Sequence, residues 1–129
     1  MVFAKIILLL CVVLIGSVID AHRPPATYMV GDGFGWSLTI DMQSWADGKT
    51  FYAGDFLVFK YDYQLYDVVV DDREGFNSCT VSGNSTTYES GNDKIQLIFG
   101  QNLFICSDSV DCQAGMKLEI NAKATPPLQ

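Results

Sequence analysis

The sequence is poor in histidine, since the only one is His22, close to the N-terminus. We interpret His22 as an exposed terminal residue, so no imidazole remains to act as a general base. A glycine-rich phosphate loop and a recognisable nucleophile motif are also missing. These absences argue against an enzyme.

Basic residues are scarce as well: 8 Lys and Arg stand against 15 Asp and Glu, giving a net charge of −7. They form no block along the chain. An acidic surface keeps a domain soluble and repels polyanions. The composition therefore disfavours nucleic acid as a partner, and also an acidic wall polysaccharide unless cations bridge the two.

Long apolar runs are absent apart from residues 6–18, which follow Lys5 and precede the small residue Ala21. A basic residue near the N-terminus, a short apolar stretch and a small residue at the cleavage site are typical of a secretory signal peptide. The sequence therefore predicts one at residues 1–21. Spanning a bilayer takes about 20 apolar residues, so a retained membrane anchor is the less favoured alternative. The sequence predicts a secreted protein, monomeric and without a transmembrane span once processed.

The ends of the mature chain follow from this boundary. Residues 22–121 are predicted to form one domain, and residues 122–129 a disordered tail that is polar and contains Pro126 and Pro127. No apolar stretch follows the tail, so the sequence does not support a lipid anchor added there. If the protein stays at the outer face of the plasma membrane, a partner or an uncleaved signal peptide must hold it there.

Cysteine is limited to four residues, of which Cys11 leaves with the signal. The remaining three, Cys79, Cys106 and Cys112, are an odd number in an oxidising compartment. One disulfide and one leftover thiol are expected, and counting alone does not choose among the three pairings.

Hydrophobic periodicity after the signal is close to two, which is typical of β-strands. Alternation occurs in residues 56–61, 94–99 and 117–121, and short β-prone runs lie at 28–30, 68–70 and 103–105. Turn signals rich in glycine, asparagine and aspartate separate them. Six or seven short strands of this kind predict an all-β sandwich or barrel. Residues 45–47 carry a weak signal for a helical turn.

Several stretches resemble the phytocyanins, plant proteins of the cupredoxin, or plastocyanin-like, fold. The resemblance runs from about residue 27 to 121. It rests on Tyr28-Met29-Val30-Gly31-Asp32, Gly35-Trp36, Trp45-Ala46, Gly54-Asp55, Phe76-Asn77-Ser78-Cys79, Phe104-Ile105-Cys106 and Asp111-Cys112. It implies a Greek-key β-sandwich of about seven strands with a disulfide between Cys79 and Cys112. Cys106 is then the free thiol.

The resemblance also implies where copper would be held. Copper-binding phytocyanins use two histidines, a cysteine thiolate and an axial methionine or glutamine, a set that suits both oxidation states of copper. The thiolate and axial positions correspond to Cys106 and Met116. Tyr66 and Asp111 stand at the two histidine positions. We therefore expect no resident metal, with copper held by Cys106 and Met116 as the alternative.

The replaced positions allow two interpretations. Phenolate and carboxylate are hard donors poorly matched to Cu(I), so we favour Tyr66 as a packing aromatic and Asp111 as part of a solvated loop. Cys106 is favoured as a buried, unreactive thiol, whose pKa the nearby Asp108 and Asp111 would raise. Met116 is favoured as a packing residue. Tyr63, Leu65, Tyr66 and Phe104 are candidates to line the vacated end of the domain.

Three functions remain open. The first is a non-redox extracellular binding or structural protein like the early-nodulin-like branch, which is associated with the plant cell surface, wall or symbiotic interfaces. The second is an atypical copper electron carrier, and the third, least favoured, is an enzyme. Asn84-Ser85-Thr86 is a glycosylation sequon within a turn-rich segment, so Asn84 is a predicted glycan site.

Overall fold

The computed structural model describes residues 23–127, so the predicted signal peptide and His22 lie outside the described residues. Within that range the chain forms seven β-strands, three short α-helices and one 3₁₀ turn. The strands are Thr27–Met29 (β1), Phe56–Lys60 (β2), Val68–Val70 (β3), Thr86–Tyr88 (β4), Asn92–Gln96 (β5), Gly100–Ile105 (β6) and Lys117–Ala122 (β7). The helices are Met42–Ala46 (α1), Arg73–Ser78 (α2) and Ser109–Gln113 (α3), and the 3₁₀ turn is Asp32–Phe34.

The seven strands form two sheets, which confirms the predicted all-β architecture. The first sheet has the order β1-β2-β5, with β1 parallel and β5 antiparallel to β2. The second has the order β4-β3-β6-β7, with antiparallel pairing throughout. Among the described helices none is long and apolar enough to cross a membrane.

The core lies between the sheets and is built from the inward faces of alternating strands. Leu57 and Phe59 of β2 are fully buried. Leu118 and Ile120 of β7 are at most 2% exposed. The ring of Phe59 contacts Phe104 of β6 at a centroid distance of 5.1 Å, and Trp36 meets Phe59 edge-on at 5.2 Å. Aromatic contacts of this kind add about 0.5–1.5 kcal/mol each to the burial itself.

The helices are each one to two turns long, and an aspartate N-cap precedes each of them. The carboxylate of Asp41 accepts a hydrogen bond from the Ser44 N–H, and that of Asp72 accepts from the Gly75 N–H. Such caps satisfy backbone donors that a short helix leaves open. The predicted helical turn at residues 45–47 is confirmed as the end of α1, whereas α2 and α3 are too short to show a helical period in the sequence.

The predicted strand at residues 94–99 is too long. β5 ends at Gln96, and the side chains of Ile98 and Phe99 are 66% and 70% exposed in the turn before β6. The buried Asn102 side chain accepts a hydrogen bond from the Ile98 N–H and donates to the carbonyls of Ile98 and Gly100. Because the Asn102 side chain supplies the hydrogen bonds that a neighbouring strand would otherwise make, the backbone turns at residues 98–100 and the strand does not continue.

The start of the tail also differs from the prediction of disorder. Ala122 is the last residue of β7, and the Lys123 N–H donates to the Phe51 carbonyl at 2.9 Å. The Thr125 hydroxyl donates to the Ala53 carbonyl at 2.7 Å. The backbone groups of the 51–55 loop need partners, and this segment supplies them.

Candidate functional site

The candidate site lies where the loop between β2 and β3 meets the segment between β6 and β7. Asp67 joins them: its carboxylate accepts hydrogen bonds from the Ser107 N–H at 2.7 Å and from the Ser107 hydroxyl. Its carbonyl accepts a hydrogen bond from the Trp36 indole at 2.9 Å. One residue therefore fixes Tyr66, its neighbour, relative to Cys106, the neighbour of Ser107.

Cys106 lies just after β6 and is 1% exposed. It is the free cysteine among the described residues. Burial raises the pKa of its thiol above the ordinary value, and the charges of Asp67 and Asp111 raise it further. Backbone groups of Asp67 and Asp108 oppose the shift. The charge of Asp111 therefore acts in the expected direction, whereas Asp108 acts through its backbone in the opposite direction.

Met116 is fully buried beside Cys106. The Cys106 N–H donates to the Met116 carbonyl at 3.0 Å, so the two residues continue the pairing of β6 with β7. The Met116 N–H in turn donates to the Asp111 carbonyl at 3.0 Å. The structure therefore brings together three of the four positions singled out in the sequence.

Asp111 is expected on a solvated loop; it remains partly exposed, but the structure places it in a short helix instead of a loop. It lies in the first turn of α3, where the Asp108 carboxylate accepts hydrogen bonds from the N–H groups of Val110 and Asp111. The helix forms because this cap supplies partners for its open N–H groups. The aspartate at position 108 is the sequence signal that indicates it.

Tyr66 is half-buried and packs against the main core cluster. Its outer side belongs to an open groove of about 410 Å³. We call this the β2–β3 groove; it is lined by Tyr63, Gln64, Leu65, Tyr66, Asp67 and Glu89. The predicted grouping of Tyr63, Leu65 and Tyr66 is present, but Phe104 does not line the groove because it is 1% exposed in the core.

The disulfide implied by the resemblance is confirmed. Cys79 and Cys112 are bonded, with their Cα atoms 5.7 Å apart. The bridge ties the residue after α2 to α3 and is buried with Val69, Phe76, Leu103 and Ile105. Within residues 23–127 no three His, Cys, Asp or Glu side chains are grouped in a way that holds a metal ion.

Sequence reasoning did not single out Asp67, although it holds the site together. Its partner Ser107 is forty residues away along the chain, and no local pattern connects the two. The one available signal was its place directly after Tyr66. A carboxylate that accepts from both the N–H and the hydroxyl of one serine is a positioning group.

Comparison with known proteins gives a consistent result. Residues 36–116 match the family model described as a plastocyanin-like domain. Early nodulin-like protein 22 of Arabidopsis thaliana is 45% identical over 122 residues, covering 94% of this chain and 86% of that protein. Chemocyanin of Lilium longiflorum is 47% identical over 95 residues, or 74% of each chain. The structure of cucumber basic protein, a blue copper protein, superposes with a TM-score of 0.71 at 42% identity, covering 75% of this chain and 99% of that one.

Proposed function

The chain belongs to the phytocyanin family of plastocyanin-like proteins, and from that membership we propose that it is a secreted, metal-free member that acts as a binding protein at the plant cell surface. It serves neither as an electron carrier nor as an enzyme. The observation that carries this proposal is the donor set around Cys106. Its relatives include proteins named blue copper proteins, so the fit of copper to these residues decides between the functions.

The residues present do not fit a blue-copper centre. The only histidine of the chain is His22, and Tyr66 and Asp111 offer hard oxygen donors in place of imidazole. Tyr66 also packs against the core cluster, as its interpretation as a packing aromatic requires.

What remains at this end is a rigid scaffold. The Asp67–Ser107 hydrogen bonds hold the loop that forms the β2–β3 groove, and the Cys79–Cys112 bridge holds α3, which follows Ser107 in the chain. Ligand sites commonly combine an apolar or aromatic lining with a few polar groups, as this groove does. The proposed role is therefore recognition of an extracellular or cell-wall component.

A visible absorption spectrum with added Cu(II) tests the absence of a copper site. We expect the purified secreted protein to remain colourless and to retain no stoichiometric copper after dialysis. The double variant Tyr66→His/Asp111→His restores the imidazoles to a scaffold that keeps Cys106 and Met116, so we expect it to develop an intense thiolate-to-copper band. Adding Cys106→Ser to that variant should abolish the band.

A blue wild-type protein whose colour is lost in Cys106→Ser would contradict the proposal. It would establish the second candidate, an electron carrier with an atypical site using Cys106 and Met116. That candidate is favoured only by the direct hydrogen bond between these two residues.

Secretion has its own test. Expressed in plant cells, the protein is expected in the medium, with an N-terminus close to residue 22 and one glycan on Asn84. Asn84 is exposed in a turn that the Ser85 N–H closes on the Ser82 carbonyl. Intact-mass analysis should show loss of the glycan in Asn84→Gln and equally in Thr86→Ala, which removes the other end of the sequon. Retention in the cell or an uncleaved leader would contradict secretion, and an unmodified secreted chain would exclude the glycan.

A further inference from the structure

The β2–β3 groove is acidic as well as aromatic. Asp67 and Glu89 contribute two carboxylates, and none of its described lining residues is basic. The protein as a whole carries a net charge of −7. A low-dielectric wall of tyrosines beside carboxylates concentrates the negative potential inside a groove. Its charge therefore complements a cation.

No cationic side chain from residues 23–127 lies over the aromatic faces of the groove. Elsewhere, cationic side chains cover aromatic rings: Arg23 lies over Tyr52 at 4.3 Å, and Lys94 lies over Phe56 at 4.5 Å. In the described part of the chain no such pair involves Tyr63 or Tyr66. Two tyrosines beside carboxylates thus form a cation-binding arrangement that no cation of the described residues occupies.

The groove is held in shape by backbone hydrogen bonds. The N–H groups of Leu65 and Tyr66 both donate to the Asp62 carbonyl at 3.0 Å, and the Asp62 carboxylate accepts from the Gln64 N–H at 2.9 Å. This turn keeps the side chains of Tyr63 and Leu65 65% and 63% exposed. Because this turn is already ordered in the free protein, its residues lose less conformational entropy when a partner binds.

We propose that the β2–β3 groove binds an arginine or lysine side chain presented by a basic segment of a partner protein. The proposal rests on the proposed function, since it names the ligand class of the same site. The tyrosine rings take the cation, Glu89 and Asp67 supply the opposite charge, and exposed Leu65 packs against an apolar neighbour of the basic residue. A small amine would leave Leu65 uncovered, which is why a peptide is the favoured occupant.

The test is an NMR titration of the ¹⁵N-labelled mature protein, without copper, with the capped peptide Gly-Leu-Arg-Leu-Arg-Gly. We expect shifts confined to amides of residues 63–67 and 89, and weaker binding as salt rises. An analogue with citrulline in place of arginine keeps the shape and removes the charge. It is expected to bind several-fold more weakly.

Three variants locate the site. Glu89→Gln should weaken binding about two- to fivefold, the range for one exposed ion pair. Tyr63→Ala should weaken it about as much, because the face of the ring is lost. Glu74→Gln, an exposed carboxylate in α2 outside the groove, changes the net charge equally and should leave binding unchanged.

Equal effects of Glu89→Gln and Glu74→Gln, or equal binding of the citrulline analogue, would overturn the proposal. So would shifts of the groove amides with a neutral oligosaccharide such as chitotetraose but not with the peptide, which would make the groove a glycan site and leave the proposed function intact. The copper spectrum is read on separate samples, so a blue protein would refute the proposed function whatever the peptide does.

Discussion

Replacing Asp55 by alanine is expected to lower the free energy of unfolding by about 3–5 kcal/mol, since it removes a buried carboxylate that pairs with the partly exposed Arg23 and accepts from two backbone donors. Asp55 is 1% exposed, and its two carboxylate oxygens lie 2.8 Å from Nη2 of Arg23. They also accept hydrogen bonds from the N–H groups of Ala26 and Tyr52 at 3.0 Å. The variant leaves a guanidinium and two backbone donors without their partner, and each orphaned group adds to the loss.

Urea unfolding followed by tryptophan fluorescence measures this loss. Asp47→Ala is the matched control, because Asp47 is an exposed aspartate and surface changes of that kind stay within about 0.5 kcal/mol. Asp55→Asn keeps the shape and one acceptor, so its effect should lie between the two. A loss below about 1 kcal/mol in Asp55→Ala would show that the carboxylate does not anchor the N-terminal segment to the 51–55 loop.

Asp55 also shows where sequence reasoning reaches its limit. Gly54-Asp55 is one of the glycine- and aspartate-rich turn signals that separate the strands, and the turn is present. The contact with Arg23 joins residues 32 positions apart, and nothing in either local pattern indicates it. Turn chemistry acts over four residues, whereas this carboxylate is buried because two separate segments, residues 23–26 and 52–55, meet around it.

The strands were predictable wherever one face of the sheet is buried. β2 and β7 have the expected alternation, with Leu57, Phe59, Leu118 and Ile120 inside. β4 was not predicted, because Thr86 and Thr87 are exposed and the strand lies at the edge of its sheet. A strand with little burial leaves a weak hydrophobic pattern.

The candidate site was predictable through the resemblance and not through periodicity. The resemblance indicated Tyr66, Cys106, Asp111 and Met116, and the structure places the last three in one chain of backbone hydrogen bonds. The groove beside Tyr66 was expected only in outline. Phe104 was wrongly included in the groove. The sequence pattern of a strand does not show whether an aromatic residue faces the core or the end of the sandwich, and Phe104 faces the core.

Loss of the disulfide is the second change with a large expected effect. We expect the double variant Cys79→Ala/Cys112→Ala to lose roughly 3–4 kcal/mol of stability, because the bridge closes a loop of 33 residues and limits the unfolded chain. Both residues must be replaced together, since a single substitution would leave a thiol able to pair with Cys106. Denaturant unfolding at neutral pH gives the value.

Cys106→Ala controls for the removal of a buried sulfur that forms no bridge, and its smaller loss reports packing alone. Hydrogen exchange then locates the effect. Amides of α2 and α3, which the bridge connects, should lose protection in the double variant, while the β2–β5 pairing of the first sheet keeps it. A double variant as stable as Cys106→Ala would contradict the entropic argument. Uniform loss of protection in both sheets would show that the bridge stabilises the whole sandwich rather than the end that carries the site.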